Sequence, residues 1–462
     1  INKRQNGECK VSNYQEFIDS KHFKSVDAGF NYCTKNSYLF DYQRSCVEWA
    51  LARGRAALFL DTGLGKTNCE LEWAFAVESH TQKPVIILAP LCVSKQIVRE
   101  ADKFGYVVKQ ARSDNDIGSR GIYVTNYEIL HNIDCSVFSG VVLDESSILK
   151  GLNGKLRNQI TDCFSRTPYR LSASATPSPN DYMELGTQCE FLGIMSQTEM
   201  LATFFIHDGA DTAKWRLKGH GQRKFFEWLA SWAVIMRDPS IFGFAEKPKL
   251  PPLNINQIVI DSGITDGLLP ALAQSLSERQ GARRNTIEDR CKAAADIANA
   301  TDKPVILWCA LNDEGDLLES LIPDSVQVSG SNTPEQKEEM MIGFSDGKYR
   351  VLITKPKIAG FGMNWQHCNN MVFVGLSDSW EQYYQAVRRC WRFGQQKQVN
   401  VTVVTADIEG AVVENIKRKD EQSDRMMNEM AKIASSFFTD FTKSSKNMAT
   451  YNPTKKAPLP KF

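Results

Sequence analysis

Two glycines precede a lysine and a threonine in the segment Leu60-Asp61-Thr62-Gly63-Leu64-Gly65-Lys66-Thr67, between a predicted strand and a predicted helix. Glycines let the backbone approach an anion closely, so that converging N–H groups can hold a phosphate. Lys66 would then reach the β- and γ-phosphates of a nucleotide, and the Thr67 hydroxyl would bind Mg²⁺. Because Leu60 stands where the strict pattern has glycine, a chance Gly-Lys-Thr loop is left open as the alternative.

Two acids follow an apolar strand about 80 residues downstream, in Val141-Val142-Leu143-Asp144-Glu145. At the carboxyl end of a strand beside a phosphate loop, Asp144 is placed to hold Mg²⁺ and Glu145 to orient the attacking water. A solvated loop after a core strand would explain either acid singly. It would not explain their joint occurrence with the phosphate loop.

Paired arginines lie far downstream, in the segment Gln385-Ala386-Val387-Arg388-Arg389-Cys390-Trp391-Arg392-Phe393-Gly394-Gln395. On a helix of 3.6 residues per turn, Gln385, Arg389 and Arg392 share one face. Two guanidinium groups pointing one way suit a phosphate. Taken alone, the segment fits a basic surface helix better; beside a phosphate loop, the arginines become candidates for completing a nucleotide site.

Two blocks of alternating strands and helices must position these residues, and each block predicts a mostly parallel sheet covered by helices on both faces. The strands predicted for the first block are 56–60, 84–89, 121–125, 141–143 and 169–172. Those predicted for the second block are 304–308, 325–328, 350–354, 370–375 and 399–405. The fold class is therefore α/β, with two similar lobes.

Composition shifts divide the chain. We expect an N-terminal extension (1–36), a first lobe (37–237) with a helical insertion rich in aromatic and basic residues (195–237), and a proline-rich linker (238–254). A second lobe (255–440) and a basic, flexible tail (441–462) follow. The insertion could grip nucleic acid, or its aromatic residues could simply be buried.

The composition is that of an ordinary globular protein, with 42% hydrophobic and 24% charged residues, so wholesale disorder is excluded. No apolar run is long enough to span a membrane and no secretory signal is evident, which predicts a cytoplasmic protein without a membrane partner. A net charge of +1 argues against a protein that binds polyanions through its overall charge, although it is compatible with a local basic cleft. The twelve cysteines form no CxxC pair, so we expect reduced, mostly buried thiols.

The order of these motifs resembles that of superfamily-two helicases and translocases, in particular the Swi/Snf-like branch and its small phage and prokaryotic members. The resemblance covers about residues 38 to 420. Its segments are 40–43 (Phe-Asp-Tyr-Gln), the phosphate loop, 89–93 (motif Ia), 125–128 (motif Ib), 144–147 (motif II), 174–177 (Ser-Ala-Thr-Pro, motif III), 360–366 (motif V) and 385–395 (motif VI). It implies two RecA-like lobes with ATP and Mg²⁺ between them.

The resemblance also implies roles for single residues at the nucleotide site. Gln43 would read adenine, while Gly63, Gly65, Lys66, Thr67 and Gly362 would line the nucleotide and Asp144 would hold Mg²⁺ through water. Glu145 would activate water, and Arg389 and Arg392 would stabilise the charge that develops on the γ-phosphate. Ser147 replaces the family's histidine in motif II, so its link to motif III is expected to be absent, and Arg388 stands where the family has a small or acidic residue.

The resemblance implies that segments near motifs Ia, Ib, II and V bind nucleic acid by contacting its phosphates. The candidate residues are Lys95, Thr125, Tyr127, Lys150, Lys355 and Lys357. The expected activity is that of an ATP-dependent translocase or helicase on duplex or branched DNA. An RNA helicase, or a nucleotide-gated DNA-binding subunit of a modification, restriction or repair complex, remains the alternative, and a protein partner is possible without being indicated.

Overall fold

The structure is a computed structural model. It describes residues 29–90, 93–151, 154–178, 181–208, 211–245, 250–261, 265–266, 269–270, 284–359, 363–377, 379–407 and 410–448.

The first lobe is built on a sheet whose described strands have the order β3-β4-β2-β5-β6-β1-β9 and are all parallel. Its strands are β1 (Arg55–Leu60), β2 (Val85–Ala89), β3 (Val108–Gln110), β4 (Ile122–Asn126), β5 (Gly140–Asp144), β6 (Tyr169–Ala173) and β9 (Ala233–Met236). Because parallel strands are joined by helices that cover both sheet faces, the central strands are buried along their whole length.

Helices lie on both faces of this sheet. They are α1 (Asp41–Arg53), α2 (Lys66–Thr81), α3 (Ser94–Lys103), α4 (Ile148–Gly151), α5 (Gly154–Cys163), α6 (Leu185–Leu192), α7 (Gln197–Phe204) and α8 (Gln222–Trp232). Side chains alternate between the two faces: Ala57 and Phe59 join one apolar cluster, and Leu58 and Leu60 join the other. The lobe therefore has two cores, one on each side of the sheet.

The second lobe repeats this plan with a parallel sheet of described order β10-β17-β16-β13-β15-β14. Its strands are β10 (Leu253–Ile260), β13 (Val305–Cys309), β14 (Ser325–Val328), β15 (Val351–Thr354), β16 (Asn370–Val374) and β17 (Val399–Ala406). Its helices are α9 (Ile287–Asn299), α10 (Asn312–Leu321), α11 (Pro334–Ser345), α12 (Pro356–Ala359) and α13 (Trp380–Val387). Two short hairpins, β7 (Phe205–Asp208) with β8 (Asp211–Leu217) and β11 (Thr265–Asp266) with β12 (Leu269–Pro270), lie outside the two main sheets.

The ten strands predicted from the sequence all occur, with bounds shifted by no more than two residues. The aromatic segment 195–237 is only partly helical. It contains α7 and α8, but also the hairpin β7–β8 and the sheet strand β9. The segment predicted as a linker ends inside β10, which begins at Leu253 and pairs with β17 over its whole length.

A long C-terminal helix, α14 (Gly410–Met448), returns from the second lobe to the first. Met430 lies in the same apolar cluster as Trp228 of α8, and the Phe438 ring lies 6.3 Å from that of Trp49 in α1. Part of the second lobe predicted from the sequence therefore packs on the first. The predicted flexible tail is helical as far as Met448, and residues 449–462 lie outside the described part of the chain.

The cysteine prediction needs one correction. Cys135 and Cys163 form a disulfide, with their Cα atoms 5.7 Å apart. They are separated by 28 residues and carry no spacing signal, so only the fold brings them together. The other described cysteines are free, and burial raises the pKa of several of them, that of Cys291 to about 12.

No helix in the described residues combines the length and the apolar character that crossing a bilayer requires.

Candidate nucleotide site

The phosphate loop joins the end of β1 to the start of α2 at the carboxyl edge of the first sheet. Gly63 and Gly65 have φ angles of 86° and 71°, a region that residues with a Cβ rarely adopt. A Cβ added at Gly63 would also lie 3.1 Å from the backbone nitrogen of Phe393, in the second lobe. The two glycines thus permit both the turn and the close approach of the other lobe.

The loop is held from behind by α1. The Gln43 side-chain amide donates to the Leu64 carbonyl at 2.9 Å, and the Tyr42 hydroxyl donates to the same oxygen at 3.1 Å. The Gln43 carbonyl accepts from the backbone N–H of Phe40 at 2.9 Å. Both ends of the Gln43 amide are therefore bound within the protein. Its contact with adenine stays a prediction.

Lys66 begins α2, and its ammonium group donates to the Leu60 carbonyl at 3.1 Å, across the mouth of the loop. Thr67 follows it in the first helical turn and lines the same cleft. This placement is what a lysine needs to reach phosphate oxygens and a threonine needs to bind a divalent cation.

Asp144 ends β5, and Glu145 follows it with a φ of 53°, unusual for a residue with a side chain. Burial, together with the neighbouring Glu145 carboxylate, raises the pKa of Asp144 to about 7, while Lys66 opposes the rise. One carboxylate oxygen of Glu145 is buried and has no hydrogen-bond partner in the described residues. A divalent cation would supply positive charge to this pair, and water bound to the cation would donate hydrogen bonds to it, so the residues present fit a nucleotide bound with its cation.

The two arginines of the second lobe converge on the same cleft. Both donate to the Met363 carbonyl, and Arg389 also donates to the Gln385 side-chain oxygen at 2.7 Å. Helix α13 ends at Val387, and tighter turns continue the chain through Arg392. Burial lowers the pKa of Arg389 to about 10, with Glu145 opposing the change, so its guanidinium is charged at neutral pH.

A cleft of about 300 Å³ brings these groups together. The predicted site residues among those lining it are Gly63, Gly65, Lys66, Thr67, Asp144, Glu145, Arg389 and Arg392. Gly362, the remaining predicted nucleotide contact, lies outside the described residues.

Contacts between the lobes connect motif III to motif VI, and sequence reasoning did not find them. Gln385 donates to the Thr176 hydroxyl at 3.2 Å, and Thr176 donates to Glu381 at 3.3 Å. The Tyr384 hydroxyl donates to Asp61 of the phosphate loop at 3.0 Å. These partners are separated by more than 200 residues, so no local pattern could have indicated them. The chain Thr176–Gln385–Arg389 links motif III to the arginines without a histidine in motif II.

Several predicted nucleic-acid contacts are not free in this conformation. Thr125 is buried, and so is Tyr127, whose hydroxyl donates to the Asp144 carbonyl at 2.7 Å; neither side chain reaches a surface. Lys95 and Lys150 form ion pairs across the lobe interface, each at 2.7 Å, the first with Glu338 and the second with Glu381.

Lys355 and Lys357 lie elsewhere. They line a separate cavity of about 460 Å³ at the carboxyl edge of the second sheet, together with Trp308 and Phe373. Lys95, besides forming its ion pair, lines a smaller cavity of about 160 Å³ together with Asn364.

Comparisons with known proteins bear on the family. The model described as the helicase conserved C-terminal domain matches residues 289–394. The chain is 22% identical over 422 residues to the TATA-binding protein-associated factor mot1 of Schizosaccharomyces pombe. That match covers 70% of this chain and 21% of the relative, so the chain spans about a fifth of the relative's length.

Among solved structures, the chain superposes on S. cerevisiae Dbp5 bound to RNA and ADP BeF3 with a TM-score of 0.55 and 12% identity. The superposition covers 85% of this chain and 94% of that one, so both lobes are included. The chain therefore has the fold of two RecA-like lobes seen in that solved structure, and its residues 289–394 match the helicase conserved C-terminal domain.

Proposed function

We propose that the chain is an ATP-dependent translocase or helicase of the Swi/Snf-like branch that moves on duplex or branched DNA. The observation that carries the proposal is the composition of the cleft. Lys66, Asp144 and Glu145 come from one lobe, and Arg389 and Arg392 come from the other. Hydrolysis would then require the lobes to close, and a nucleic acid bound across both lobes could favour closure.

Each residue has a role in this chemistry. Lys66 and the loop N–H groups bind the β- and γ-phosphates, and Thr67 and Asp144 would hold Mg²⁺, which neutralises phosphate charge when bound. Glu145 accepts a proton from the attacking water. Arg389 and Arg392 stabilise the charge that develops on the γ-phosphate, an effect worth ~10³–10⁵ in rate in related nucleotide hydrolases.

The preference for DNA rests on the resemblance of Asn364 and of the Gly394-Gln395 ending to the Swi/Snf-like branch. An RNA helicase is the second candidate, because the protein on which this fold superposes was solved with RNA. A nucleotide-gated subunit of a larger complex is the third. We place the protein in the cytoplasm of a bacterial or phage-infected cell, again from the resemblance.

Steady-state ATP hydrolysis tests the proposal. The purified protein is measured without polymer and with duplex DNA, forked DNA, single-stranded DNA or RNA at one low salt concentration, because phosphate contacts depend strongly on salt. We expect the strongest stimulation by duplex or forked DNA. Stimulation by RNA alone would replace the proposal with the second candidate, and a low, equal rate in all five conditions would favour the third.

Lys66→Ala is the control for contaminating ATPases. It removes the phosphate contact of the lysine, so any rate that persists in this variant does not come from the cleft.

A further inference from the structure

The cavity of about 460 Å³ in the second lobe lies at the ends of three neighbouring strands, β13, β15 and β16. Trp308 of β13 pairs with Thr354 of β15 on one side and with Phe373 of β16 on the other, so the three strands end side by side. Parallel sheets commonly bind ligands at this edge. Among the described lining residues, none is shared with the nucleotide cleft.

Positive charge is concentrated at this cavity. The described residues that line it include three cations and no acid. Lys355 follows β15, Lys357 lies in α12, and Arg284 precedes α9. Because the whole chain has a net charge of only +1, the charge here is a local feature, and it favours an anionic group such as phosphate.

One wall of the cavity is aromatic. The rings of Trp308 and Phe373 are stacked with centroids 6.1 Å apart, and the Tyr383 ring of α13 lies 5.0 Å from that of Phe373. Trp308 and Phe373 are buried, whereas Tyr383 is partly exposed, so Tyr383 is the ring that a ligand can contact. A phosphate alone would leave this apolar wall uncovered, which favours a ligand that also has a flat aromatic part.

Hydrogen-bonding groups lie next to the Tyr383 ring. The Ser377 hydroxyl donates to the side-chain oxygen of Gln382 at 3.4 Å, and both residues line the cavity. The side-chain nitrogen of Gln382 makes no hydrogen bond within the described residues, so it can donate to a ligand. The carbonyl oxygens and ring nitrogens at the edge of a nucleobase are acceptors of this kind. Cations, a ring and a free amide together match a nucleotide.

The cavity also adjoins the first lobe. Gln382 directly follows Glu381 in α13, and Glu381 forms the 2.7 Å ion pair with Lys150 of the first lobe. A nucleic-acid strand bound across both lobes can therefore reach the cavity from the interface.

We propose that this cavity binds one nucleotide of a nucleic-acid strand with its base turned out of the stack. The base packs against Tyr383 and accepts a hydrogen bond from Gln382, while the flanking phosphates lie against Lys355 and Lys357. Turning out a base costs least where it is unpaired, so the cavity selects branched or damaged duplexes over continuous ones. The proposal rests on the proposed function and names the feature of the nucleic acid that the second lobe recognises.

Fluorescence anisotropy tests the assignment with the full chain and three labelled DNA duplexes of one length, at one low salt concentration. The first duplex is fully paired, and the second carries a single unpaired thymidine. The third carries an abasic unit at that position, which keeps the extra phosphate and lacks the base. We expect the unpaired thymidine to bind about tenfold more tightly than the abasic unit, a typical effect of stacking one base on an aromatic ring.

Three variants locate the effect. Tyr383→Leu removes the ring and should abolish the preference for thymidine while leaving the affinity for the abasic duplex unchanged. Lys355→Ala should weaken all three duplexes alike, by about threefold, because it removes a phosphate contact. Lys303→Ala is the matched control and should change none of them, since Lys303 is exposed before β13, at the opposite edge of the same sheet.

Three results would overturn the assignment. The wild-type chain could bind the thymidine and abasic duplexes equally. Tyr383→Leu could weaken both duplexes by the same factor, which would make its role structural. Free thymidine monophosphate could bind more tightly than the duplex with the unpaired thymidine, which would reassign the cavity to a free nucleotide.

Failure of the proposed function is measured separately, as the absence of any stimulation of ATP hydrolysis by the same duplexes. If hydrolysis is stimulated and the base makes no difference to binding, the base cavity alone is disproved. Thermal unfolding followed by circular dichroism shows whether Tyr383→Leu keeps the fold. If it does not, Gln382→Ala takes its place, and the preference for thymidine should then fall about threefold through loss of one hydrogen bond.

Discussion

At the scale of single residues, the cleft places two acids against three cationic side chains. Asp144 and Glu145 are consecutive residues at the end of β5, and their carboxylates repel each other when both are charged. Lys66 and Arg389 act on this pair from the two lobes. A bound divalent cation would add positive charge beside this pair.

Glu145 should be needed for turnover but not for binding. In Glu145→Gln the side chain keeps its size and loses the ability to take a proton from water. We expect the maximal hydrolysis rate to fall by about 10²–10⁴ while ADP affinity changes less than threefold. Steady-state hydrolysis and calorimetric binding measure the two quantities. The exposed Glu414→Gln is the matched control. An unchanged rate in Glu145→Gln would remove Glu145 as the base.

The buried acid pair should also make stability depend on pH. The pKa of Asp144 is about 7 in the folded chain and near 3.8 in an unfolded one, so between these values the folded state holds more protons. The contribution of Asp144 to the free energy of unfolding is complete below pH 4. It is lost as the pH rises toward 7, by at most about 1.4 kcal/mol per pH unit. Denaturant unfolding in chelator, compared with Asp144→Asn, isolates this slope. Equal slopes in both proteins would contradict the prediction.

At the scale of elements, local patterns predicted the sheets well, because strands buried on both faces read as short apolar runs. The strand β9 was missed, since Ala233–Met236 follows directly on α8 and shares its apolar character. The phosphate loop and the acids were found because each is a continuous segment. Thr125 and Tyr127 were misplaced, because the sequence does not reveal which way a side chain points.

Packing of α14 on the first lobe was not predictable from the sequence, since its partners lie near the other end of the chain. Met430 is 1% exposed among residues of the first lobe. Met430→Ala should therefore lower the free energy of unfolding by about 2–5 kcal/mol. The exposed Lys432→Ala, half a turn away on the same helix, should change it by no more than about 0.5 kcal/mol. Denaturant unfolding compares the two, and equal effects would show that α14 does not pack there.

At the scale of the whole molecule, the two lobes are joined by ion pairs and hydrogen bonds around the cleft. Lys150 of the first lobe pairs with Glu381 of the second, and Thr176 donates to the same carboxylate. Burial raises the pKa of Glu381 even though Lys150 opposes the rise. Burial therefore disfavours the charged form of this carboxylate at the interface. Closure is therefore stabilised by contacts that are separate from the nucleotide groups.

Glu381→Gln tests whether this interface controls hydrolysis. The substitution leaves the partly buried Lys150 with a weaker partner, at a cost of about 1–3 kcal/mol, between the values for exposed and buried pairs. Because Glu381 does not line the cleft, ADP affinity should stay within threefold. The maximal hydrolysis rate should fall about tenfold, since the arginines reach the phosphates only when the lobes are closed.

Small-angle scattering should show a larger radius of gyration in the variant than in the wild-type chain and in the exposed control Glu414→Gln. An unchanged rate and radius would mean that closure does not depend on this contact, and the coupling would then have to run through Tyr384 and Asp61 instead.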